Sequence, residues 1–480
     1  MPEGPTADSY DLVVIGAGPA GEKAAAHAAY FGHRVAVIER SAQLGGVVVG
    51  SGGVPTKTLR ETALFVSGFR KREVYGVSLQ LDRSASLAVL RERTAGVTAM
   101  IERRIRGNLH RHGVTVIHGR ARLLALGRVG VSTDSGTREL SACAVVVATG
   151  SHPLRPPGFP FEDHAVLDSD ALLEGVGDIE DLVVVGGGVV GCEYASILRA
   201  LGVSVTLVDL APRLVPMFDP ELSTLLGDIF RRQGMRLRLG TRVAAVSREG
   251  ERLELTLADG ERLQTDRILV AVGRAGNTSD LGLEEVGVEL TDHGHIRVDA
   301  EQRTNVPGVY AAGDVTGPPT LASVAIEEGR RAASAAMGTP LHQAANQRAP
   351  MAAYTVPEVG QFGMSDDEAR AAGIDCVVGR ARFLDNTRAT IAGSTEGMVK
   401  LVCDPGGGLL GVQILGDGAA ELVHIGQVLC QHGGRVDYLL HSTFNVPTWS
   451  EAYQYAAFDA LRQLEGSPGY RADAGPVSDR

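Results

Sequence analysis

Two stretches of the chain share one order of apolar and polar positions. In the first, the apolar run of residues 12–15 leads through a glycine-rich turn into an alanine-rich segment, residues 20–31, and a second apolar run ends at Glu39. In the second, the apolar run of residues 182–185 leads through a similar turn and segment to a run that ends at Asp209. Short apolar runs predict buried strands, and the longer segments between them predict helices. Each stretch therefore predicts a β-α-β unit.

Glycines occur in both units at the same spacing, G-x-G-x-x-G. They are Gly16, Gly18 and Gly21 in the first unit and Gly186, Gly188 and Gly191 in the second. In such a unit the first glycine makes a tight turn, the second lets the backbone approach a pyrophosphate, and the third lets helix and strand pack closely. The helix N-terminus faces the phosphates, and the acid that ends the second strand accepts hydrogen bonds from ribose hydroxyls. We therefore predict two dinucleotide sites, with Glu39 and Asp209 as the ribose acceptors.

The composition is that of a soluble globular protein. The chain has 480 residues, of which 44% are apolar and 21% charged, and roughly 100–200 residues per domain predicts about two to four domains. A net charge of −11 without a basic stripe argues against a nucleic-acid partner. No run is long and apolar enough to span a bilayer, and the acidic N-terminal residues do not fit a signal peptide. We expect a cytoplasmic protein that binds neither nucleic acid nor membrane.

The cysteines do not form a recognisable pattern. They number five and lie far apart in the sequence, at Cys143, Cys192, Cys376, Cys403 and Cys430. An odd number without close pairs indicates neither a disulfide framework nor a zinc site. We expect reduced thiols and no bound metal.

Three further motifs lie between and after the two glycine turns. They are VVVATGS at residues 145–151, LVAVGRAGNT at residues 269–278 and TNVPGVYAAGDVTGPPTLASVA at residues 304–325. In this order the motifs resemble those of the two-dinucleotide-binding-domain flavoproteins, the pyridine nucleotide-disulfide oxidoreductase family, which includes glutathione reductase and dihydrolipoamide dehydrogenase. The resemblance covers nearly the whole chain. It implies that the first unit binds FAD and that the second binds NAD(P)H.

The resemblance also implies ligand contacts outside the glycine turns. It places the Asp314 carboxylate on the flavin ribityl chain and the backbone of Gly119 and Ala121 beside the adenine. The same motifs imply four more cofactor-binding positions, Thr149, Gly150, Gly273 and Ala322.

The family resemblance predicts an α/β fold with two Rossmann-like domains and a C-terminal α+β dimerisation domain. The expected FAD-binding domain comprises residues 1–157 and 275–345, and the expected NAD(P)-binding domain comprises residues 158–274. Residues 346–466 resemble the dimerisation domain, which implies a homodimer, and residues 467–480 are polar and predicted to be disordered.

The positions of the family's redox thiols are occupied by other residues. Where the disulfide reductases carry two cysteines after the second strand, this chain has Val48 and Gly53. Val446 stands at the position of the C-terminal catalytic histidine, although Glu451 of the same motif remains. Thiol–disulfide exchange needs a thiolate and a base. The sequence therefore predicts that this chemistry is absent.

Electron entry from NAD(P)H does not depend on the missing thiols. Lys57 matches the family's lysine near flavin N5, and Glu193 matches the carboxylate that holds this lysine. A cation beside the flavin stabilises its anionic reduced form, and the carboxylate keeps the cation in place. We expect hydride transfer from NAD(P)H to remain possible.

One subfamily resembles the chain most in its later motifs, the soluble pyridine nucleotide transhydrogenases. The shared stretches include YTVPEVGQFG at residues 354–363 and STFNVPTWSEAY at residues 442–453. That subfamily also lacks the C-terminal histidine, but it keeps a cysteine at the position of Val48. A transhydrogenase binds two nicotinamide nucleotides in turn at one site and needs no thiols.

Three functions stay open at this stage. The first is an FAD-dependent NAD(P)(+) transhydrogenase. The second is an NAD(P)H dehydrogenase that reduces a quinone or another small organic acceptor, including a secondary metabolite, beside an apolar wall of Val47, Val48 and Val49. The third is a flavoprotein subunit without catalysis.

The preferred nicotinamide nucleotide is indicated by the residues after the second unit. Asp209 lies where the adenosine 2′-hydroxyl is expected and favours NAD(H) over NADP(H). Arg213 is close enough in sequence to meet a 2′-phosphate, but it is equally consistent with a solvated loop charge.

Overall fold

The computed structural model of the chain describes residues 8–67, 83–175, 179–341 and 348–466. These residues fall into two compact units. The first is drawn from Met1–Glu61, Ser84–Asp178 and Leu269–Gln347, and the second from Thr62–Arg83, Ile179–Ile268 and Arg348–Arg480. The finer division predicted from the sequence stays a prediction, and the predicted disordered tail, residues 467–480, lies outside the described residues.

Both units contain helices and strands. The helices are α1 (Pro19–Tyr30), α2 (Gly46–Gly50), α3 (Val54–Ser67), α4 (Arg83–Arg111), α5 (Ser169–Gly175), α6 (Val189–Ala200), α7 (Pro220–Arg232), α8 (Ala322–Met337), α9 (Asp366–Ala371), α10 (Thr387–Ala392), α11 (Ala419–Gln431), α12 (Val436–His441) and α13 (Glu451–Leu464). Short 3₁₀ turns occur at Asp314–Thr316 and Phe383–Asp385.

The strands are β1 (Ser9–Ile15), β2 (Val35–Glu39), β3 (Thr115–His118), β4 (Arg120–Ala125), β5 (Arg128–Thr133), β6 (Gly136–Val147), β7 (Ser151–Pro153), β8 (Val166–Asp168), β9 (Asp181–Val185), β10 (Ser204–Asp209), β11 (Arg236–Leu239), β12 (Val243–Glu249), β13 (Arg252–Leu257), β14 (Arg262–Thr265), β15 (Arg267–Val270), β16 (Arg274–Gly276), β17 (Val309–Ala311), β18 (Met351–Ala353), β19 (Val359–Gly363), β20 (Val377–Arg382), β21 (Met398–Cys403) and β22 (Leu409–Leu415).

The main sheet of the first unit has the order β3-β2-β1-β6-β5-β4, with β17 also paired to β6. Strands β3, β2, β1, β6 and β17 run parallel, and β4 and β5 continue from β6 as antiparallel strands. Successive residues of β1 point to opposite faces: Leu12 and Val14 join one buried cluster, and Val13 and Ile15 join another. Both faces are covered, which is why the sequence shows an unbroken apolar run here.

Helices α1 and α8 pack closely on one face of this sheet. A Cβ atom at Gly329 of α8 would collide with the carbonyl oxygen of Ala20 in α1. Ala24, Ala28 and Ala332 fill the same cluster with small side chains. The alanine-rich composition of α1 is therefore explained by helix–helix contact over the sheet.

The second unit contains the second β-α-β unit and two antiparallel sheets. Strands β9, β10 and β11 run parallel in the order β11-β10-β9, and α6 connects β9 to β10. Strands β12, β13 and β14 form a separate antiparallel sheet. The C-terminal part is an antiparallel sheet in the order β18-β19-β22-β21-β20, with α11 packed on β19 and β22 and α13 on β20 and β21.

Several large apolar side chains of the C-terminal part are exposed in the single chain. Val428 of α11, Tyr438 of α12 and Phe458 of α13 are each more than half exposed. Ile425, Val428, Tyr438 and Phe444 line an open apolar groove between α11 and α12. Such a surface is typical of a protein–protein interface.

A buried lysine joins three parts of the second unit. Lys400 of β21 is 2% exposed. Its Nζ donates to Asp219 Oδ2 at 2.8 Å and to Asp366 Oδ1 at 2.7 Å, and lies 3.1 Å from Glu221 Oε2. Arg380 donates to both oxygens of Glu221 at 2.8 and 2.9 Å. This cluster connects the N-termini of α7 and α9 to the C-terminal sheet.

The described residues contain neither a helix that could span a membrane nor a group of side chains that could hold a metal ion. No described helix is both long and apolar enough to cross a membrane. Across the same described ranges, no group of three or more His, Cys, Asp or Glu side chains is arranged to hold a metal ion.

Candidate functional site

The first glycine turn follows β1 and leads into α1. Gly16 has a φ of +103°, and a Cβ atom there would collide with the carbonyl oxygen of Ala148. A Cβ atom at Gly21 would collide with the carbonyl oxygen of Gly16. At Gly18 the nearest atom to a Cβ would be the Cα of Gly46, 3.9 Å away. The outer glycines are therefore required by packing, whereas the middle one has free space beside it.

The second turn, between β9 and α6, repeats this geometry. Gly186 has a φ of +116°, and a Cβ atom at Gly191 would collide with the carbonyl oxygen of Gly186. Nothing lies within 4 Å of a Cβ atom placed on Gly188. Gly18 and Gly188 are the N-caps of α1 and α6, and neither helix has a side-chain cap. Both helix N-termini thus offer backbone N–H groups to an anion, which fits the pyrophosphate of a dinucleotide.

The acid at the end of the second strand fixes the glycine turn in both units. Glu39 Oε2 accepts from Ala17 N at 2.8 Å, and its Oε1 accepts from Ser41 N at 2.9 Å. Asp209 Oδ2 accepts from Gly187 N, and its Oδ1 accepts from Ala211 N at 2.5 Å. A carboxylate has about four accepting positions. Each acid can therefore hold its turn and still accept from a ribose hydroxyl.

The loop after β10 brings Arg213 close to the second turn. Val215 has a φ of +40° and donates its N–H to Gly187 O at 2.7 Å, so the loop folds back onto the glycines. Arg213 Nη2 donates to Pro216 O at 3.4 Å, and its Nε is buried without a hydrogen-bond partner in the described part of the chain. A ligand role for Arg213 stays a prediction.

The positions of the missing cysteines are in contact. Val48 lies in α2 and Gly53 directly precedes α3. A Cβ atom at Gly53 would lie 2.8 Å from both Cα and O of Val48 and 3.0 Å from its Cγ1. Real Cβ atoms do not approach this closely, so position 53 accepts only glycine unless the backbone shifts. The site keeps the proximity of the family's cysteine pair but has no room for the second side chain.

Lys57 follows within the first turn of α3, where its N–H donates to Gly53 O at 3.3 Å. Glu193 of α6 is 4% exposed, and its Oε1 accepts from Tyr354 N at 2.9 Å. The two residues belong to different compact units. Their expected ion pair stays a prediction.

The remaining positions of the first unit surround the carboxyl ends of its parallel strands. Thr149 Oγ1 donates to Asn277 O at 2.7 Å, and Asn277 N donates to Gly150 O at 2.9 Å. Ser151 Oγ donates to Asp314 Oδ2 at 2.6 Å. These contacts bring the ATG motif together with the VGR and GD motifs, which are distant in sequence.

Four further predicted positions lie beside or on β4, before β16 and at the start of α8. Gly119 donates its N–H to Glu39 O at 2.9 Å, and Ala121 follows on β4. Gly273 has a φ of +139° and accepts from Leu154 N at 2.9 Å. Ala322 is exposed at the start of α8. Their contacts agree with a ligand role but do not test it.

Glu451 has a local partner at the start of α13. It is 5% exposed, and its Oε2 accepts from Thr448 N at 2.9 Å. Val446 is 71% exposed, and His441, the nearest histidine in sequence, is exposed as well. The structure thus gives Glu451 a role in fixing the turn before α13, and its catalytic role stays a prediction.

Three residues near the first site were missed by the sequence analysis. Ser151 ends one recognised motif and Asn277 is the next-to-last residue of another, so their position in those motifs was the available signal. Glu328 of α8 accepts from Gly313 N at 2.8 Å. Burial raises the pKa of Glu328 above its ordinary value, although the Gly313 N–H opposes the shift. Helical periodicity alone does not distinguish this glutamate from its neighbours.

Comparison with known proteins gives the same family for most of the chain. Residues 10–329 match the model of the family described as pyridine nucleotide-disulphide oxidoreductase, and residues 349–457 match its dimerisation domain. A soluble pyridine nucleotide transhydrogenase of Mycobacterium bovis (strain BCG / Pasteur 1173P2) is 38% identical over 466 residues, which cover 96% of this chain and 99% of the relative. Its namesake from Marinomonas sp. (strain MWYL1) is 36% identical over 467 residues, 96% of this chain and 100% of the relative.

Solved structures show the same similarity in three dimensions. LpdA from Mycobacterium tuberculosis matches with a TM-score of 0.85 and 30% identity, over 94% of this chain and 99% of that one. The Cu(II) complex of the HOCl-induced flavoprotein disulfide reductase RclA from Escherichia coli matches with a TM-score of 0.85 and 25% identity, over the same shares of the two chains.

These matches confirm the predicted family, the α/β fold class with its dimerisation domain, and the predicted cofactors. The paired glycine turns fit two dinucleotides, as this family requires. The chain therefore belongs to the pyridine nucleotide-disulphide oxidoreductase family and is an FAD-dependent oxidoreductase that uses NAD(P)H.

Proposed function

We propose that this protein is an NAD(P)(+) transhydrogenase that works without a redox disulfide. The observation that carries the proposal is the contact between Val48 and Gly53, where a second side chain has no room. The relatives named soluble pyridine nucleotide transhydrogenase support the reaction type. Both glycine turns are complete, so the two nucleotide sites that the reaction needs are retained.

Three of the five cysteines are poor candidates for a substitute redox pair. Cys192 and Cys403 are buried, and burial raises the pKa of both thiols well above the ordinary range. Burial also raises the pKa of Cys430 to about 12. A thiol with a raised pKa is a poor nucleophile at neutral pH, because the thiolate is the reactive form. This argument supports a thiol-free reaction.

The chain's own residues bind and orient the two nucleotides in this proposal. FAD, when bound, would supply the hydride-transfer chemistry that links two nicotinamide nucleotides. The N-terminus of α1 would hold the FAD pyrophosphate, and that of α6 would hold the pyrophosphate of each nicotinamide nucleotide in turn. The family resemblance implies that Lys57 places a cation beside the flavin and that Glu193 holds this cation, and both roles stay predictions. Val48 stands at one of the family's thiol positions, and with its neighbours Val47 and Val49 it would form an apolar wall that excludes water.

The test is flavin reduction followed by reoxidation in stopped flow. NADH or NADPH is expected to bleach the flavin, and thio-NAD(+) is expected to reoxidise it rapidly. Lipoamide and glutathione disulfide should not be reduced above a free-flavin control, and arsenite, which traps dithiols, should not inhibit. Reoxidation by quinones alone would contradict the proposal and favour a quinone reductase. No bleaching by either nucleotide would indicate a flavoprotein without catalysis.

Asp209→Asn is expected to narrow the preference for NADH over NADPH. The carboxylate is fixed by Gly187 N and Ala211 N, so its charge is held where a 2′-phosphate must bind. Removing a like charge at short range should improve the NADPH/NADH ratio of kcat/KM about tenfold. Asparagine has one acceptor oxygen, so it cannot satisfy both N–H groups, and NADH should bind somewhat more weakly too.

Glu39→Gln is the matched control, since it makes the same change at the first turn. It should weaken FAD retention and leave the ratio of the two nicotinamide nucleotides unchanged. If NADPH is already the better reductant of the unmodified protein, Asp209 does not set the preference, and Arg213 becomes the candidate.

The chain carries the family's dimerisation domain, and we propose a homodimer. The exposed apolar side chains Val428, Tyr438 and Phe458 lie in that domain. Two-fold pairing of one surface is the commonest oligomer symmetry. The quinone acceptor and the cytoplasmic location expected from the sequence have no further support and stay predictions.

A further inference from the structure

Two short strands connect the segments of the first unit, and they hold a chain of hydrogen bonds that ends at Asp314. Strand β7 follows the ATG motif, and β16 follows Gly273. They pair antiparallel, with Gly276 opposite Ser151 and Arg274 opposite Pro153. The side chain of Arg274 is 14% exposed, and Ser151 is 5% exposed.

Arg274 donates twice to Ser151 within this small sheet and once to a residue of α5. Its Nε donates to Ser151 Oγ at 2.9 Å, and its Nη2 donates to Ser151 O at 3.0 Å. Its Nη1 donates to Asp170 Oδ1 at 3.4 Å. The guanidinium group is planar and carries donors in a fixed arrangement. Bonds to both oxygens of Ser151 therefore fix the orientation of the serine side chain.

The direction of the next hydrogen bond follows from the chemistry of arginine. A guanidinium group has no acceptor, so Ser151 Oγ must accept from Arg274. The serine hydroxyl has one proton, and the Asp314 carboxylate only accepts. The proton is thus directed to Asp314 Oδ2, 2.6 Å away. Hydrogen bonds in such a chain polarise and strengthen one another.

We propose that Arg274 and Ser151 are positioning residues for FAD, which act by fixing the carboxylate of Asp314. Ser151 takes one accepting position of this carboxylate, and the others can accept from a ribityl hydroxyl. Gly313, with a φ of +81°, fixes the backbone beside it through its N–H bond to Glu328 Oε2. Backbone and side chain of the Asp314 turn are then both set before the cofactor binds, which reduces the entropic cost of binding.

The inference rests on FAD binding and on the assignment of Asp314 to the ribityl chain. It does not depend on the electron acceptor. A failure of the transhydrogenase proposal would therefore leave it intact, and its own failure would leave that proposal intact.

The experiment measures FAD release from holoprotein variants by the rise in flavin fluorescence on dilution, together with the visible circular dichroism of the bound flavin. The variants are Ser151→Ala, Arg274→Met, Asp314→Asn and the double variant Ser151→Ala/Asp314→Asn. Ser151→Ala and Arg274→Met should each accelerate release about fivefold and change the dichroism spectrum. In the Asp314→Asn background, Ser151→Ala should accelerate FAD release by less than about a further twofold, because the two side chains act as one unit.

Arg155→Met is the matched control. Arg155 lies two residues after β7 and pairs with Asp168 at 2.7 Å, outside the hydrogen-bond chain. Its loss should leave FAD release and the flavin spectrum unchanged. Arg274→Lys keeps the charge but loses the planar arrangement of donors, and should release FAD at an intermediate rate.

Three outcomes would overturn the inference. Unchanged release from Ser151→Ala, with faster release from Asp314→Asn, would show that the serine does not act on the carboxylate. Equal effects of Ser151→Ala in both backgrounds would show that it acts independently. Unchanged release from Asp314→Asn would remove the assignment of Asp314 itself. If Arg274→Met does not fold, Ser151→Ala decides alone, since it deletes one buried oxygen.

Discussion

In the Gly188→Ala variant, kcat/KM for NADH and NADPH should fall by about 100-fold or more while the protein stays folded and yellow. Gly188 has φ −74° and ψ −174°, a conformation that alanine adopts without strain. Among the described residues no atom lies within 4 Å of the added methyl group, so the fold should be unaffected. The methyl group instead fills the space through which a pyrophosphate approaches the N-terminus of α6. Stopped-flow reduction of the flavin measures the reactivity with NADH and NADPH, thermal melting shows whether the protein stays folded, and the FAD content shows whether the cofactor is retained.

Two further glycine variants test whether the effect of Gly188→Ala is specific to the second glycine turn. Gly18→Ala places the same methyl group at the first turn, where φ is −71° and ψ is −174°. It should release FAD and spare the binding of nicotinamide nucleotides by the second turn. Gly191→Ala should lower the melting temperature, because its Cβ collides with the carbonyl oxygen of Gly186. If Gly188→Ala releases FAD and Gly18→Ala does not, the two sites are assigned the wrong way round.

Lys400→Met should destabilise the protein by about 3–5 kcal/mol at neutral pH, the usual cost of removing one partner of a buried ion pair. Without the ammonium group, Asp219, Asp366 and Glu221 face one another at the former Nζ position. Thermal melting of the holoprotein measures the loss. Arg232→Met is the control, since Arg232 and Glu396 form a pair that is about half exposed, where about 0–1 kcal/mol is expected.

The effect of Lys400→Met depends on pH in a defined direction. Burial by itself would raise the pKa of both Glu221 and Asp366. Hydrogen bonds from Arg380 and Lys400 outweigh burial at Glu221, and the hydrogen bond from Lys400 outweighs it at Asp366. The pKa of each carboxyl is therefore lowered. Their contribution to stability is complete above the ordinary values of 4.5 and 3.8 and is lost as pH falls through the folded values.

For Lys400, burial lowers the pKa, but hydrogen bonds from its Nζ to Asp219 and Asp366 outweigh this effect and the pKa is raised. Its contribution is complete below 10.5 and is lost as pH rises through the folded value. The loss of stability caused by Lys400→Met should therefore be largest at pH values between 4.5 and 10.5. It should shrink in acid, because the facing carboxyls can then be protonated. A deficit that is independent of pH would show that the charges of the cluster do not stabilise the fold.

The sequence predicted the two nucleotide turns because their requirements are local. Gly16 and Gly186 need positive φ, and Gly21 and Gly191 must pack against the turn five residues earlier. Such constraints act within one β-α-β unit, so spacing alone reveals them. The first helix begins at Pro19, one residue before the alanine-rich segment that predicted it. The buried parallel strands followed from their unbroken apolar runs, since both faces of each strand are covered.

Other features required the three-dimensional fold. The chain of Arg274, Ser151 and Asp314 joins residues up to 163 positions apart, and no periodicity relates them. The Lys400 cluster draws its carboxylates from α7 and α9, and its separation from Asp219 is 181 positions. Neither could be found from spacing, because each depends on which strands pair and which helix ends meet.

The segment that lacks the family's thiols, residues 48–53, shows both what the sequence determines and what only the tertiary structure decides. The sequence by itself determined that Val48 and Gly53 cannot exchange electrons, because neither side chain has a thiol. Only the tertiary structure decided that position 53 has no room for one, since the chain from α2 to α3 brings its Cα against the Val48 backbone. The residue types fix which chemistry is possible at a position, whereas the packing of the backbone around that position fixes which side chains it can accept.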